Sequence, residues 1–398
     1  MKPLQNIRVL DLTRVLSGPF CTMNLADLGA DIVKLEGPTG DDSRGNPPHI
    51  KGESTYFMSL NRGKHSISMN LKEPAAKDAF LRMVKDVDVV IENFRPGTME
   101  KLGLGYEVLK EINPKIIYCA ISGFGQTGPY KTRAAYDIII QAMAGIMSIT
   151  GPENGSPVRV GASVGDIIAG LYATISILAA IEHRNQTGEG QSIDIGMLDC
   201  LVAILENAVV RYYATGQNPI PVGCRHPTSS PFDAYKSSDG LVILAIQNNK
   251  LWENLCKEMG CEHLINDERF ATNALRVKHE AELKPLLEEI TKTKTTQEWI
   301  DALLAVDVPC GPLNKIETIV ADPHLLHRNM ITEVQHPIVG SFKTAGIPIK
   351  YSKTKCEVSE PAPVLGQHTD EILKKFKFSD DEIDALYKAG AVMGMKEQ

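Results

Sequence analysis

Several things this chain lacks narrow what it can be. Its eight cysteines, at 21, 119, 200, 224, 256, 261, 310 and 356, form no C-x-x-C pair, and Cys256/Cys261 have no partners at zinc-site spacing. A disulfide scaffold and a structural zinc site have no support. Cys119 and Cys200 fall inside apolar segments, where free cysteine packs as a small hydrophobe, so the thiols read as reduced and the protein as cytoplasmic. There is no long basic run, and the formal net charge is −7, which argues against a nucleic-acid binder but leaves room for local basic pockets. The start, MKPLQNIRVLDL, has neither the apolar core nor the small-residue cleavage site of a signal peptide. The longest charge-free apolar run, Ile167–Ile181, falls short of a bilayer span and ends at Glu182-His183-Arg184, so no membrane partner is expected. No G-x-S-x-G elbow is present. His324 and His327 lack a nearby third ligand, so no metal is expected. Internal repeats and low-complexity tracts are absent too.

What is there is an ordinary globular composition, 43% apolar and 23% charged, on a chain of 398 residues, long enough for two domains. Short β-rich runs alternate with helical patterns. Strands are predicted at 7–12 (IRVLDL), 31–36 (DIVKLE), 66–71 (SISMNL), 88–94 (DVVIENF), 115–122 (KIIYCAIS) and 192–197 (SIDIGM). A helix is predicted over Glu73–Val84. That alternation gives an α/β class, a parallel sheet with helices on both faces and ligands at the strands' carboxyl ends. Residues 1–215 read as the first part of a large domain, and 216–240 as a Gly/Pro/Ser-rich linker and active-site loop. Residues 241–325 read as a small α+β domain, and 326–398 as a return segment completing the large one.

The unusual residues cluster after predicted strands. GFGQTG (123–128) matches G-x-G-x-x-G, but Pro129 and Tyr130 follow instead of a helix, and no acidic residue stands at ribose distance; a loop needing glycine freedom fits better. Arg62, Lys64, Lys72, Arg95 and Lys101 are candidates for a polyanionic ligand, Arg95 foremost, because ENFRPG ends a strand beside an aromatic ring able to stack on a base. In GASVGDIIAG (161–170), Asp166 sits among glycines at the head of a run apolar on every face, which predicts a helix buried all round. Asp166 is then a helix cap or a reactive carboxylate. Gly161 and Gly165 leave space for a bulky group, and the helix N-terminus is expected to keep the carboxylate ionised.

Taken together, VLDLTRVLSGPFCTMNLADLGADIVKLE, NRGKHSISMNLK, ENFRPGTMEKLG, SGFGQTGPY, VGASVGDIIAGLYA and PCGPLNKIETIVADPHLLHRNM make the chain closely resemble the family III CoA-transferases along essentially its whole length. The resemblance implies a Rossmann-like large domain built from both chain ends plus a small central domain, and two subunits interlocked as an obligate homodimer. It implies coenzyme A and acyl-CoA as substrates, small carboxylic acids as partners, and Asp166 as a nucleophile that passes through a mixed anhydride and an aspartyl-CoA thioester. Leu16, Ser17, Met69, Lys72, Asn93, Phe94, Arg95, Lys101, Tyr136 and Asp137 fall where that family binds CoA. Arg225 and His226 in the linker are candidates for a second substrate carboxylate, which suits a dicarboxylic or hydroxy acid. Leu16 replaces a Gln of the formyl-CoA:oxalate enzymes, and GCRHPTSSPF replaces their glycine-rich covering loop, which argues against oxalate. A racemase of the same fold is the alternative, but it carries a His where this chain has Tyr136 and needs a base on each face. A non-catalytic CoA-binding protein is the other alternative, opposed by the retained Asp166.

Overall fold

Six apolar runs become parallel strands of one sheet: β1 (Arg8–Asp11), β2 (Asp31–Glu36), β3 (Lys64–Met69), β4 (Val89–Glu92), β5 (Ile117–Ser122) and β6 (Ser192–Gly196). All six overlap strands predicted from sequence; β3 starts and ends two residues early. The computed structural model describes residues 2–358 and 360–395. Phe232–Lys236 (β7), Leu241–Ala245 (β8) and Cys310–Pro312 (β9) form a second sheet, and Ile331–His336 (β10) pairs with Gly340–Ala345 (β11). The last strand, Val392–Met393 (β12), returns from the chain's other end to pair antiparallel with β3. The large sheet thus runs β12-β3-β2-β1-β4-β5-β6, a doubly wound order that reverses between β1 and β4.

Strands covered on both faces tend to be apolar runs, as β4 and β5 are here, whereas β2 and β3 also bury Lys34, Glu36, Lys64, Ser66 and Ser68. Leu10, Val33, Ile67 and Val90 point to one side, against the helices Pro74–Val84, Thr369–Lys375 and Asp380–Lys388. Val9, Ile32, Val89, Ile91 and Ile117 point to the other, against α1 (Ser17–Asp27) and α3 (Val164–Thr187), with α2 (Asp137–Met143) beside them. Each buried Val, Leu or Ile stabilises by about 1.5–3 kcal/mol, so a one-residue slip of register would be prohibitive.

The apolar helix α3 is not buried all round as its sequence predicts. Gly165, Ala169, Gly170, Ala173, Thr174 and Ile177 are buried, while Leu171 and Ile175 stay 39% and 60% exposed. By length and composition α3 is able to cross a membrane, yet its small-residue face lies in the core over the sheet. It ends at Gly188, whose φ of 81° supplies the left-handed C-cap.

By contacts the chain divides into two units, one comprising the chain to Ile146, Arg159–Val210 and Pro323 onward, the other Met147–Val158 and Arg211–Asp322. The stretch Met147–Val158, which the sequence leaves within the first domain, groups with the second unit. That second unit is built on the antiparallel sheet β9-β8-β7, whose Val242 and Leu244 pack with Trp252, Leu255, Leu283, Leu287 and Trp299 of its helices.

Candidate active site

Because the strand order reverses between β1 and β4, the loops after these two strands leave in opposite directions and open a crevice. Asn93, just beyond β4, clasps the loop after β1. Its side-chain oxygen accepts from the Arg14 N–H at 2.8 Å, and its amide donates to the Arg14 carbonyl at 2.8 Å and to Ser17 Oγ at 3.3 Å. The Arg14 guanidinium lies over the Phe94 ring, 5.2 Å from its centre. Beneath Phe94, the buried Glu92 accepts from the Phe94 N–H at 2.6 Å and the Tyr118 hydroxyl at 3.1 Å; burial pushes its pKa up to about 7.

The helix beginning at Ser17 and the helix carrying Asp166 cross closely. A Cβ on Gly170 would stand 2.6 Å from the Ser17 carbonyl oxygen, so only glycine permits this approach. One turn back from Gly170, Asp166 meets the Ser17 hydroxyl. Asp137, the first residue of α2 and buried, accepts from the Gly165 N–H at 2.8 Å and from Gln141 Nε2 at 2.7 Å. Gln141 also accepts from the Val160 N–H at 2.8 Å, which ties down the approach to Gly161. The Arg159 guanidinium stands 4.0 Å from Asp137.

Two expectations about Asp166 change here. Burial first, then the Asp137 carboxylate, push its pKa up to about 7, with only the Ser17 hydrogen bond opposing; the helix terminus does not hold it low. Gly165 is not open space either. Its Cβ would meet Asp137 Oδ1 at 3.0 Å and Ile140 at 3.3 Å, whereas Gly161 faces nothing within 4 Å.

The CoA candidates fall into groups. Leu16 and Ser17 (8% and 4% exposed), Asn93 and Phe94 line the crevice's β1 and β4 loops. Arg95 and Lys101 are exposed beyond β4, and Lys72 beyond β3, while the Met69 side chain lies in the core. Tyr136 points outward, 76% exposed, as its neighbour Asp137 points in. Arg62 and Lys64 are not free for a ligand. They are buried and paired, Arg62 with Asp27 at 2.7 Å and Lys64 with Asp11 at 3.2 Å, because both neighbour the core of the sheet. After GFGQTG the next helix opens only at Asp137, and Asp194 receives the Gln126 N–H instead of a phosphate. In the second unit, Arg225 pairs with Glu153 at 3.0 Å and approaches Glu280 at 3.9 Å, beside a cleft of about 260 Å³. The His226 ring lies 5.0 Å from the Phe232 ring, and its Nδ1 accepts from the Thr228 N–H.

Tyr56, which the sequence does not flag, feels the charges of this carboxylate cluster. Burial and the carboxylates of Asp166, Asp41 and Asp137 push its hydroxyl up to about 12, so it stays a proton donor near those groups. Nothing in the spacing of E-S-T-Y-F marks it. Gln141 was more legible, since it follows Asp137 at helical i,i+4 spacing.

A crevice at the switch point of a doubly wound sheet, with a half-buried carboxyl at a helix head beside a hydroxyl and a second carboxylate, defines an α/β enzyme able to use an aspartate as nucleophile. Comparison with known proteins narrows the class. The model of CoA-transferase family III matches residues 4–369. Human succinyl-CoA:glutarate CoA-transferase is 41% identical over 98% of this chain and 90% of its own length. Succinyl-CoA:mesaconate CoA-transferase of Haloarcula hispanica is 40% identical over 94% of this chain and 96% of its own. The crystal structure of a CAIB/BAIF family protein from Brucella suis superposes with a TM-score of 0.85 at 39% identity, covering 94% of this chain and 99% of that one. The chain belongs to CoA-transferase family III and is an enzyme of that kind.

Proposed function

We propose that this enzyme moves CoA from succinyl-CoA to a short dicarboxylic acid, with Asp166 as the covalent nucleophile. An Asp166 oxygen attacks the thioester carbonyl; the C–S bond breaks, leaving a mixed anhydride and CoA thiolate. The thiolate attacks the Asp166 carbonyl carbon and expels the donor acid as its carboxylate, which leaves an aspartyl-CoA thioester. An acceptor carboxylate then repeats the two steps in reverse and departs as its CoA ester, returning Asp166 as a carboxylate. The observation that carries this reading is the carboxyl of Asp166 beside Ser17 with its pKa pushed up to about 7. Above that pH it is ionised, and it is more nucleophilic than a carboxylate of ordinary basicity. The glutarate and mesaconate acceptors in the relatives' names support a dicarboxylate.

CoA is taken to lie over Leu16, Ser17, Asn93 and Phe94, with Met69, Arg95, Lys72, Lys101 and Tyr136 around its nucleotide and pantetheine, and Asp137 aligning the nucleophile. Arg225, with His226, is open to a substrate carboxylate only by exchange with Glu153. A homodimer, interlocked as in the expectation above, is supported by apolar side chains left open in the first unit: Ile138, Ile139, Leu171, Ile175 and Val210. A cytoplasmic location is supported by eight cysteines that are all free. The test is mass spectrometry of the protein mixed with succinyl-CoA and a panel of dicarboxylic acids. New CoA esters are expected, with borohydride converting residue 166 to homoserine in the donor-loaded enzyme; both signals should vanish in Asp166→Ala. Solvent deuterium entering α to a thioester without exchange of acids would replace this reading with the racemase.

A further inference from the structure

Five successive backbone groups in the loop after β1 are held by side chains, four of them by residues distant in sequence, rather than by any ladder. The Thr13 N–H donates to Asp11 Oδ1 at 2.9 Å, and the Thr13 carbonyl accepts from Lys34 Nζ at 2.9 Å. Asn93 takes both groups of Arg14. The fifth, the Val15 N–H, donates to Asp41 Oδ1 at 3.1 Å. Val15 has φ of 66°, in the left-handed region that a β-branched residue avoids. Such strain persists only where surrounding contacts over-determine it, and it tends to sit at functional sites.

Asp41 is built to be an immovable acceptor. It is 2% exposed, its own N–H donates to Glu36 Oε2 at 3.0 Å, and Oδ1 also takes the Ser43 N–H and hydroxyl. Oδ2 faces Lys34 Nζ at 2.9 Å, both side chains being wholly out of solvent. One ammonium therefore holds Thr13 directly and Val15 through Asp41, and two residues further on stands Ser17, which meets Asp166.

We propose that Asp41, backed by Lys34, is a positioning residue for CoA transfer: it holds the left-handed turn at Val15 so that Leu16 and Ser17 face the thioester beside Asp166. This rests on the reading of Asp166 as nucleophile. A pair serving only the sheet's stability has no need to be aimed at the amide of a strained loop residue.

Val15→Pro tests this with Asp41 and Lys34 both in place, since proline has no N–H to give Asp41 and fixes φ at about −65°. The expected result is a fall of about 30- to 100-fold in kcat/KM for succinyl-CoA and a weaker Kd for CoA, with circular dichroism and melting close to wild type. In Asp41→Asn the one amide oxygen turns to the Lys34 ammonium and the NH2 meets the Val15 N–H, so activity should fall comparably, and adding Val15→Gly should recover about tenfold or more, because glycine holds a positive φ without a clamp. Rescue of that kind is not expected of a residue that merely stabilises the fold. Wild-type kcat/KM and Kd in Val15→Pro would overturn the proposal, as would a folded Asp41→Asn that Val15→Gly does not improve. If Asp41→Asn does not fold, Val15→Pro decides alone. Absence of any CoA ester from the wild-type enzyme would instead strike the functional reading, and the CoA Kd of Val15→Pro against wild type would still judge the loop.

Discussion

Replacing Gly170 with alanine isolates the contact that sets Ser17 against Asp166. The added methyl would sit 2.6 Å from the Ser17 carbonyl oxygen, 3.2 Å from a Phe20 ring carbon and 3.3 Å from the Cys21 nitrogen. The first of these is backbone and cannot rotate away. To reach 3.4 Å, where ordinary contact begins, the two helices must part locally by about 0.8 Å. Overpacking of this size costs about 1–3 kcal/mol, and alanine returns about 1 kcal/mol of helix propensity, so the net loss of stability is about 0–2 kcal/mol. Catalysis is less forgiving: a misplacement near 1 Å can cost about a hundredfold. Gly170→Ala should melt within a few degrees of wild type yet lose about 10- to 100-fold in kcat for CoA transfer, measured by CoA-ester formation in a coupled chromatographic assay. Full kcat with a raised melting point would refute the reasoning, since it would mean that the crossing gives freely and does not set the Asp166 geometry.

Other perturbations follow from the same arrangement. With Asp166 at about 7, kcat/KM should rise with pH through that region as the carboxylate forms, and Asp137→Asn, by removing a like charge, should move the rise to lower pH; an unmoved profile would take Asp137 out of the tuning. The raised folded-state pKa also has a sign in stability. Its contribution is fully present below the ordinary carboxylate range and is lost as pH rises through about 7, so the melting-point advantage of Asp166→Asn over wild type should grow between pH 5 and pH 8. A constant offset between the two melting curves would count against the buried carboxylate. Arg225→Ala should raise KM for a dicarboxylic acceptor but not for succinyl-CoA binding if the guanidinium trades Glu153 for substrate; an unchanged acceptor KM removes it from the site.

The sheet was legible because parallel strands buried on both faces announce themselves as short apolar runs, and their alternation with helices allowed only a doubly wound arrangement. What one chain's sequence could not tell was which apolar surface faces its own core. The run from Ile167 looks alike on all sides, but only the Ala/Gly face of α3 meets α1, and Ile175 is left open. Lys34 shows the same limit in charge. Its place in DIVKLE reads as the polar position of a strand, yet it is fully buried, because its partners Thr13 and Asp41 come from loops that the sheet order alone brings to it.

Asp166 is where local reasoning and tertiary context pull in opposite directions. A carboxylate in the first turn of a helix is stabilised by the helix terminus by typically 0.3–1 kcal/mol, about half a pKa unit, and that effect was all the sequence offered. The fold adds two larger effects of the other sign, withdrawal from water and the neighbouring charge of Asp137, and they win. Asp137 is itself retained as an acceptor for Gly165, so the group that fixes the helix head in space also adds, after burial, to the basicity of Asp166. Positioning and tuning therefore cannot be separated by removing Asp137. Only a substitution that keeps the acceptor and drops the charge, Asp137→Asn, divides them: the Gly165 contact and thus the Asp166 geometry should survive while the pH profile moves, and loss of both together would mean that geometry alone was at stake.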